Sequence, residues 1–393
     1  MPTSSPLPDL NRAESPDALV IGGGVIGLAV AWRLAQRDLA VTVVDPAPGR
    51  GASWAAAGML APVTEVHYEE EALLGLNLES ARRWAAFAAE LEEASGIPVG
   101  YRACGTLAVA VDAGDHAWLG DLHRFQLELG LKAERLTSQE CRRVEPALSP
   151  RIRGGVLVEG DHQVDPRRLS PALIEAARGV GVEFVAGRVE SLIMEAGACV
   201  GAMVGTETLR AEVVVLAAGA WSSALTDPPG ISPGLFPPIR PVKGQILRLR
   251  QRGGAPVLNG NVRGLVEGSS VYLVPRADGE VVVGATMEEQ GFDHTVTAGA
   301  VMNLLRDAYG LVPEVAEFEF AEATASLRPC SPDNAPVIGA TGVSGLVMAG
   351  GHHRNGILLT PVTADLMAEL IATGSMPPLG QPFDPVRFGA MIR

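Results

Sequence analysis

The chain has 393 residues, 47% of them hydrophobic and 19% charged. That balance excludes a peptide-scale fold, an acidic disordered chain and a fibre, and at roughly 150 residues per domain it predicts two or three domains. A formal net charge of −14 would repel a phosphate backbone, so no nucleic-acid partner is expected.

Residues 1–16 are rich in Pro, Ser and charge without apolar period and read as a disordered leader. From 18 to 45 the chain reads as a buried strand, a glycine turn, a helix with apolar positions Ile26, Val30 and Leu34, and a second strand ending at Asp45. The uncharged run 18–32 holds four glycines and is shorter than the roughly 20 residues that span a bilayer, so no membrane association is expected. A helix is predicted over 69–96 with Gly96 as its stop. A strand at 105–111, a helix at 115–129 and a Thr137/Glu140 capping pattern follow, and these resemble an inserted module. Asp165-Pro166 marks the start of a helix over 167–178, which leads through 182–184 into a meander ending near Val204. A buried strand is expected at 212–218, antiparallel strands over 239–286, and a closing strand and helix at 345–349 and 355–371. Four cysteines, Cys104, Cys141, Cys199 and Cys330, lack CxxC or Cys/His ligand spacing and read as reduced buried thiols of a cytoplasmic protein, with no metal site.

The run Gly22-Gly23-Gly24-Val25-Ile26-Gly27 fits G-x-G-x-x-G with a strand before it and a helix after it. Such a turn lets the backbone approach a pyrophosphate, whose charge meets the helix N-terminus. Asp45 lies 18 residues beyond Gly27, where a carboxylate accepts hydrogen bonds from a ribose diol. The fingerprint alone leaves FAD and NAD open. The following small-residue loop, Gly51-Ala52-Ser53 and Ala55-Ala56-Ala57-Gly58-Met59-Leu60, gives close approach for a wide planar cofactor and a hydroxyl for a phosphate, which favours FAD.

At this point the sequence resembles the D-amino-acid oxidase superfamily of FAD enzymes, and within it the glycine oxidases of thiamine biosynthesis. The matching stretches are VIGGGVIGLAVAWRLA, GASWAAAGML, DHQVDPRRL, VVVLAAGAWS, PVKGQ, VYLVPRADGEVVVGATMEE, SLRPCSPDNAPVIG and GGHHRNGILLTPVTA, spread from 18 to 387. GASWAAAGML and GHHRNGILLTP are the most specific, because sarcosine oxidases and D-amino-acid dehydrogenases tend to carry G-H-G-type turns in the second place. The resemblance implies an α/β (α+β overall) architecture: a Rossmann-like FAD-binding domain interleaved with an antiparallel-sheet substrate domain. The expected division assigns 17–85, 150–225 and 322–393 to the first and 86–149 and 226–321 to the second.

The cofactor-binding residues implied are Gly22, Gly24, Val25, Ile26, Gly27 and Asp45 of the fingerprint, and Ser53, Ala56, Ala57, Gly58 and Met59 of the loop. Val189 is implied beside the adenine, with Ala218, Gly219 and Trp221 after the buried strand. The turn His353, Arg354, Asn355, Gly356 and Ile357 is placed over the isoalloxazine, where amides at a helix start stabilise negative charge. Arg328, before Pro329, is the expected anchor for a substrate carboxylate, as a rigid guanidinium that pairs bidentately. Tyr272 is expected to donate a second bond to it. Met287 matches a residue lining the small-substrate pocket, and Arg354 reads as pocket entrance or flavin edge, against a surface ion pair. His352 and His353 are adjacent and read as a polar turn rather than as a base. Cys330 lies near where some sarcosine oxidases attach flavin covalently, but its spacing to Asp333 differs from theirs, so non-covalent FAD is expected.

The activity implied is oxidation of glycine or another small amino acid by hydride transfer to flavin N5, with O2 as acceptor, giving an imine and hydrogen peroxide. The expected partners are the substrate and O2, and the resemblance implies a homo-oligomer such as a tetramer. Two other readings stay open: a D-amino-acid or sarcosine dehydrogenase that passes electrons to a quinone or protein, and a non-catalytic FAD-binding subunit.

Overall fold

A computed structural model describes residues 15–225 and 236–388; the leader therefore lies almost wholly outside the described residues. The predicted first unit is present as β1 (Ala18–Ile21), α1 (Val25–Ala35) and β2 (Val41–Val44). The short α2 (Ala52–Ala55) and β3 (Met59–Leu60) precede α3 (Glu71–Ser95), which stops where Gly96 takes a left-handed φ of 69°. Next come β4 (Thr106–Ala110), α4 (Ala113–Glu128), β5 (Glu134–Thr137) and α5 (Ser138–Val144). The reciprocal Thr137/Glu140 capping box opens α5. Then follow β6 (Gly154–Val158), β7 (His162–Gln163) and α6 (Pro166–Gly179), the last capped by Asp165.

Five strands lead back through the nucleotide unit: β8 (Glu183–Val185), β9 (Val189–Glu195), β10 (Ala198–Val204), β11 (Glu207–Arg210) and β12 (Val213–Leu216). After α7 (Ser222–Leu225) the antiparallel run is β13 (Arg240–Arg250), β14 (Asn261–Val266), β15 (Ser269–Pro275) and β16 (Glu280–Gly284). The chain closes with α8 (Ala298–Leu311), β17 (Glu319–Cys330), β18 (Val337–Ala340), β19 (Leu346–Gly350) and α9 (Thr360–Thr373).

Two sheets organise these elements. In the six-stranded sheet the order is β18-β19-β12-β1-β2-β8, parallel throughout except for β18. Strand alternation divides β1 between two cores: Ala18 and Val20 pack with α1, α3, α6 and α9, while Leu19 and Ile21 pack with β9 and β10 on the other face. In the eight-stranded sheet the order is β17-β13-β16-β15-β14-β4-β6-β5, with β14–β4 as the single parallel pair. Leu247, Leu249, Val271 and Leu273 face a core capped by Leu304, Ala308 and Leu311 of α8, and their neighbours Ile246, Tyr272 and Val274 face the nucleotide unit.

The sheet crosses the expected boundaries: β6, and β17 from residue 322 onward, which the limits at 150 and 322 give to the FAD-binding part, are strands of the eight-stranded sheet. β17 pairs with β13 from Arg240–Cys330 to Arg250–Glu319, a long-range register that no local pattern announces. The boundary at 85/86 likewise cuts α3, whose Trp84, Phe87, Ala88 and Leu91 all pack in the helical core of the six-stranded sheet.

Candidate active site

A cavity of about 660 Å³ runs between the two sheets, bordered at one end by Asp45 and Val189 and at the other by Tyr272 and Arg328. The turn after β1 makes its first wall. Gly22 has φ 111°, and a methyl group there would overlap the Ala217 carbonyl oxygen, so only glycine lets β1 and β12 close at this point. Gly24 precedes α1 with no side-chain cap, and Val25 N donates to Ser53 Oγ at 3.2 Å. The positive end of α1 therefore opens on the cavity. Asp45 is fixed by the amides of Gly23 and Ala47, each donating to a separate carboxylate oxygen at 2.7 Å.

The small-residue loop forms the middle of the wall. Ala56, Ala57, Gly58 and Met59 border the cavity, with Ala218, Gly219 and Trp221 opposite. Its backbone is held from the other sheet: Arg276, buried, donates to the Ala57 carbonyl, to Gln163 Oε1 at 2.7 Å and to the Val164 carbonyl at 3.1 Å. Burial pushes the Arg276 guanidinium down to about 10, which leaves it charged at neutral pH. His353, Arg354, Gly356 and Ile357 also border the cavity. Their turn is braced by α3, whose Ser80 Oγ and Trp84 Nε1 donate to the Leu358 carbonyl at 2.6 and 2.8 Å.

Arg328 lies across the backbone of β13, since a methyl group on Gly244 would overlap its guanidinium. Its Nη1 donates to the carbonyls of Thr286 (3.1 Å) and Lys243 (3.4 Å), and no carboxylate of the described residues pairs with it. Tyr272, on β15, packs its ring over Gly284. Burial pushes its phenol up to about 12, against the opposing charge of Arg328, so it is a donor at any working pH. Met287 stands at the rim, 72% exposed. Arg354 borders the cavity and is at the same time an ion-pair partner, 2.5 Å from Glu70 Oε2.

Two expected cofactor contacts fall outside the cavity. Gly27 packs behind the turn, where a methyl group would overlap the Gly22 carbonyl oxygen, and buried Asn355 bonds within its own turn. His352 and His353 both border the cavity, contrary to the expectation for adjacent side chains. The His352 ring is bonded to Thr363 Oγ1 at 3.0 Å, and His353, with φ 48°, leaves Nδ1 buried and without a partner. Burial pushes both rings down to about 3, with Arg354 and Arg328 adding to the effect at His353, so both are neutral at pH 7. Cys330 is fully buried, outside the cavity, and desolvation pushes its thiol up to about 11.

Arg263, Glu65 and His67 reach the same end of the cavity without having been singled out. Arg263 Nη1 lies 2.7 Å from Glu65 Oε1, and burial, with the charge of Arg354 beside it, pushes His67 below its ordinary value. Arg263 sits directly opposite Tyr272 in the β14–β15 register, so recognising it requires the strand pairing. Glu65 follows the small-residue loop closely, but no spacing marks it. With Arg263 and Arg354 paired to carboxylates, Arg328 is, among the described residues beside Tyr272, the arginine left to meet an anion from outside.

The donor set fits FAD. A helix start whose N-cap is glycine, a fixed carboxylate at the end of β2, a small-residue middle and the orphaned His353 Nδ1 match, in that order, a phosphate bridge, a ribose diol, a flat ring system and its polar edge. Comparison with known proteins agrees. The profile of the family DAO, FAD dependent oxidoreductase, matches residues 17–370. A bifunctional protein ThiO/ThiG of Trichormus variabilis is 35% identical over 95% of this chain and 55% of its own length. The chain thus spans about half the length of such bifunctional relatives. A glycine oxidase of Geobacillus kaustophilus is 34% identical over 90% of this chain and 92% of its own. A crystal structure of glycine oxidase from the same organism superposes with a TM-score of 0.87 at 33% identity, covering 95% of this chain and 99% of the other.

Proposed function

Because this chain belongs to the DAO family of FAD dependent oxidoreductases, we propose that it oxidises glycine, or an amino acid of similar size, to the imine. FAD is held non-covalently along the turn at 22–24, Asp45 and the loop at 51–59. When bound, it supplies the two-electron oxidant, which dioxygen restores with release of hydrogen peroxide.

The observation that carries this reading is the unpaired Arg328 guanidinium beside the protonated Tyr272 phenol. A substrate carboxylate placed there accepts two charge-assisted bonds from the fork and one from the phenol, which fixes the α-carbon within the cavity. Tyr272 and Met287 narrow the space left for a side chain. His353 is neutral, and Glu65 is engaged by Arg263, so among the described residues this end of the cavity offers the amino group no free carboxylate to hold it charged. An amine bound neutral needs no general base, only positioning. The imine then hydrolyses to glyoxylate and ammonia or passes on to thiazole assembly; we place the reaction in thiamine biosynthesis, in the cytoplasm, in a homo-oligomer, as the resemblance to glycine oxidases implies. Among the described residues no helix is long and apolar enough to cross a membrane.

The test is direct. The purified protein should show a flavin spectrum, glycine should bleach it without air, and admitting air should restore the colour with one peroxide per glycine. A flavin that no amino acid bleaches defeats the reading. Bleaching that air does not reverse selects the dehydrogenase instead.

A further inference from the structure

Lys243 has no part in the chemistry above, yet its side chain is only 1% exposed and lies next to the site. Along β13 the side chains alternate: Gly244 and Ile246 border the cavity, while Lys243 and Gln245 turn the other way. There they meet residues 285–297, a stretch between β16 and α8 with no helix or strand of its own. Lys243 Nζ lies 2.5 Å from Asp293 Oδ2 and 3.9 Å from Glu288 Oε2. Its backbone exchanges two hydrogen bonds with Glu288, at 2.9 and 3.0 Å. Gln245 Nε2 donates to Glu288 Oε1 (2.8 Å) and Thr297 Oγ1 (3.3 Å), and Gln245 Oε1 accepts from Thr297 N at 2.8 Å. Thr286 Oγ1 closes the set, accepting from Gln245 N at 2.9 Å and donating to Glu288 Oε1 at 2.6 Å.

The other side of this segment makes the pocket. The Thr286 carbonyl accepts from Arg328, and Met287 forms the rim. Beyond them, Phe292 and His294 meet Trp221 through ring contacts at 5.9 and 6.3 Å, with Phe292 and Trp221 largely exposed. The buried polar contacts under the segment are thus its firm attachment, and the exposed ring contacts a weak one.

We propose that Lys243, with Gln245 and Asp293, is a positioning residue that clamps residues 285–297 to the back of β13 and so holds the Thr286 and Lys243 carbonyls where they orient Arg328 for a carboxylate. This rests on the carboxylate-anchor reading of Arg328. Arg328 has no carboxylate of its own to fix it, so its direction depends on those two carbonyls, and both belong to residues of the clamp. Loosening the clamp acts on carboxylate affinity and leaves the turn at 22–24 and Asp45 untouched.

The experiment titrates purified holoenzyme with acetate, read by the change in flavin absorbance, for the wild type, Lys243→Met and Asp293→Asn. Asp293→Asn keeps the shape of the clamp, and with Asp293 40% exposed its loss leaves no buried charge bare except Lys243, which retains Glu288. Acetate should bind about tenfold more weakly in both variants, and KM for glycine should rise by the same factor with kcat within about twofold and flavin content unchanged. Should Lys243→Met not fold, Asp293→Asn decides alone. Unchanged acetate affinity overturns the proposal, as does a fall in kcat at constant KM. A wild type that binds acetate but does not oxidise glycine defeats the proposed reaction, and the clamp is then judged on acetate alone; a wild type that binds no acetate defeats both.

Discussion

Replacing Arg328 isolates one interaction, because the free protein loses little with it. Its guanidinium has no carboxylate partner and makes two bonds to carbonyls at 3.1 and 3.4 Å, one of which, Lys243, also accepts from Glu288. Arg328→Ala should therefore fold, bind flavin and lose about 1 kcal/mol of stability at most. Bound substrate is another matter. Two charge-assisted bonds to a carboxylate contribute about 1.5–3 kcal/mol each, and taking the lower values gives about 3–4 kcal/mol. At 1.4 kcal/mol per decade, half-saturation by glycine rises about 150- to 700-fold. Arg328→Lys keeps the charge but not the fork, and should fall between, at about 10- to 30-fold. The assay is anaerobic bleaching of the flavin against glycine concentration in a rapid-mixing instrument, with the flavin-to-protein ratio measured on each sample. A shift below about fivefold in Arg328→Ala with full flavin content refutes the anchor, and so does an Arg328→Lys variant that behaves like the wild type.

Gly22→Ala forces a methyl into the Ala217 carbonyl oxygen at φ 111°, so the protein should purify colourless and melt at lower temperature, whereas Gly51→Ala, at φ −79° with open space, should stay yellow. A yellow, stable Gly22→Ala would contradict the close approach of β1 and β12. Tyr272→Phe removes one donor to the carboxylate and should raise KM about tenfold with flavin retained. Because the Tyr272 phenol is pushed up to about 12, any break in the pH profile of the wild-type KM below about pH 10 should persist in Tyr272→Phe; a break there that Tyr272→Phe abolishes would be the contrary result. His352 gives a pH prediction for stability. Above about pH 6.5 both folded and unfolded states are neutral at this residue, and below it the unfolded chain takes up a proton that the buried ring, pushed down to about 3, refuses. Stability is therefore lost as pH falls from about 6.5 towards 3, by about 2 kcal/mol at pH 5 from this group. His352→Gln, which keeps a partner for Thr363, should flatten the fall in melting temperature between pH 7 and 5, and an unchanged slope would rule the effect out.

What was legible beforehand was what neighbouring residues decide among themselves. The short β-branched runs ALVI and VTVV, bounded by turn residues, read as buried strands, Gly96 can take the left-handed turn that ends α3, and Thr137 with Glu140 caps α5 within four residues. Residues brought together by distant pairing were not legible. β6 and β17 join the eight-stranded sheet through partners that local pattern does not name, so the limits drawn at 150 and 322 fall across that sheet. Arg263 became a wall of the cavity through its position opposite Tyr272. The alternatives weighed for Arg354, cavity edge or ion pair, turned out not to exclude each other, since Arg354 borders the cavity while its Nη2 meets Glu70.

The strand order of the six-stranded sheet has a consequence for how the molecule is made. β1 and the glycine turn leave the ribosome well before β12 and β19, but β1 needs β12 beside it, and β12 in turn needs β19. The ring-side turn at 352–357 follows later still. A nascent chain therefore carries the phosphate-binding turn without the wall opposite it until β12, β19 and the turn at 352–357 have emerged. Flavin capture becomes a late event, coupled to completion of the fold rather than to the appearance of its fingerprint. Free FAD should then speed the final docking of 346–373 and do little for the earlier steps, so that the supply of cofactor in the cell bears on the yield of folded protein as well as on its activity.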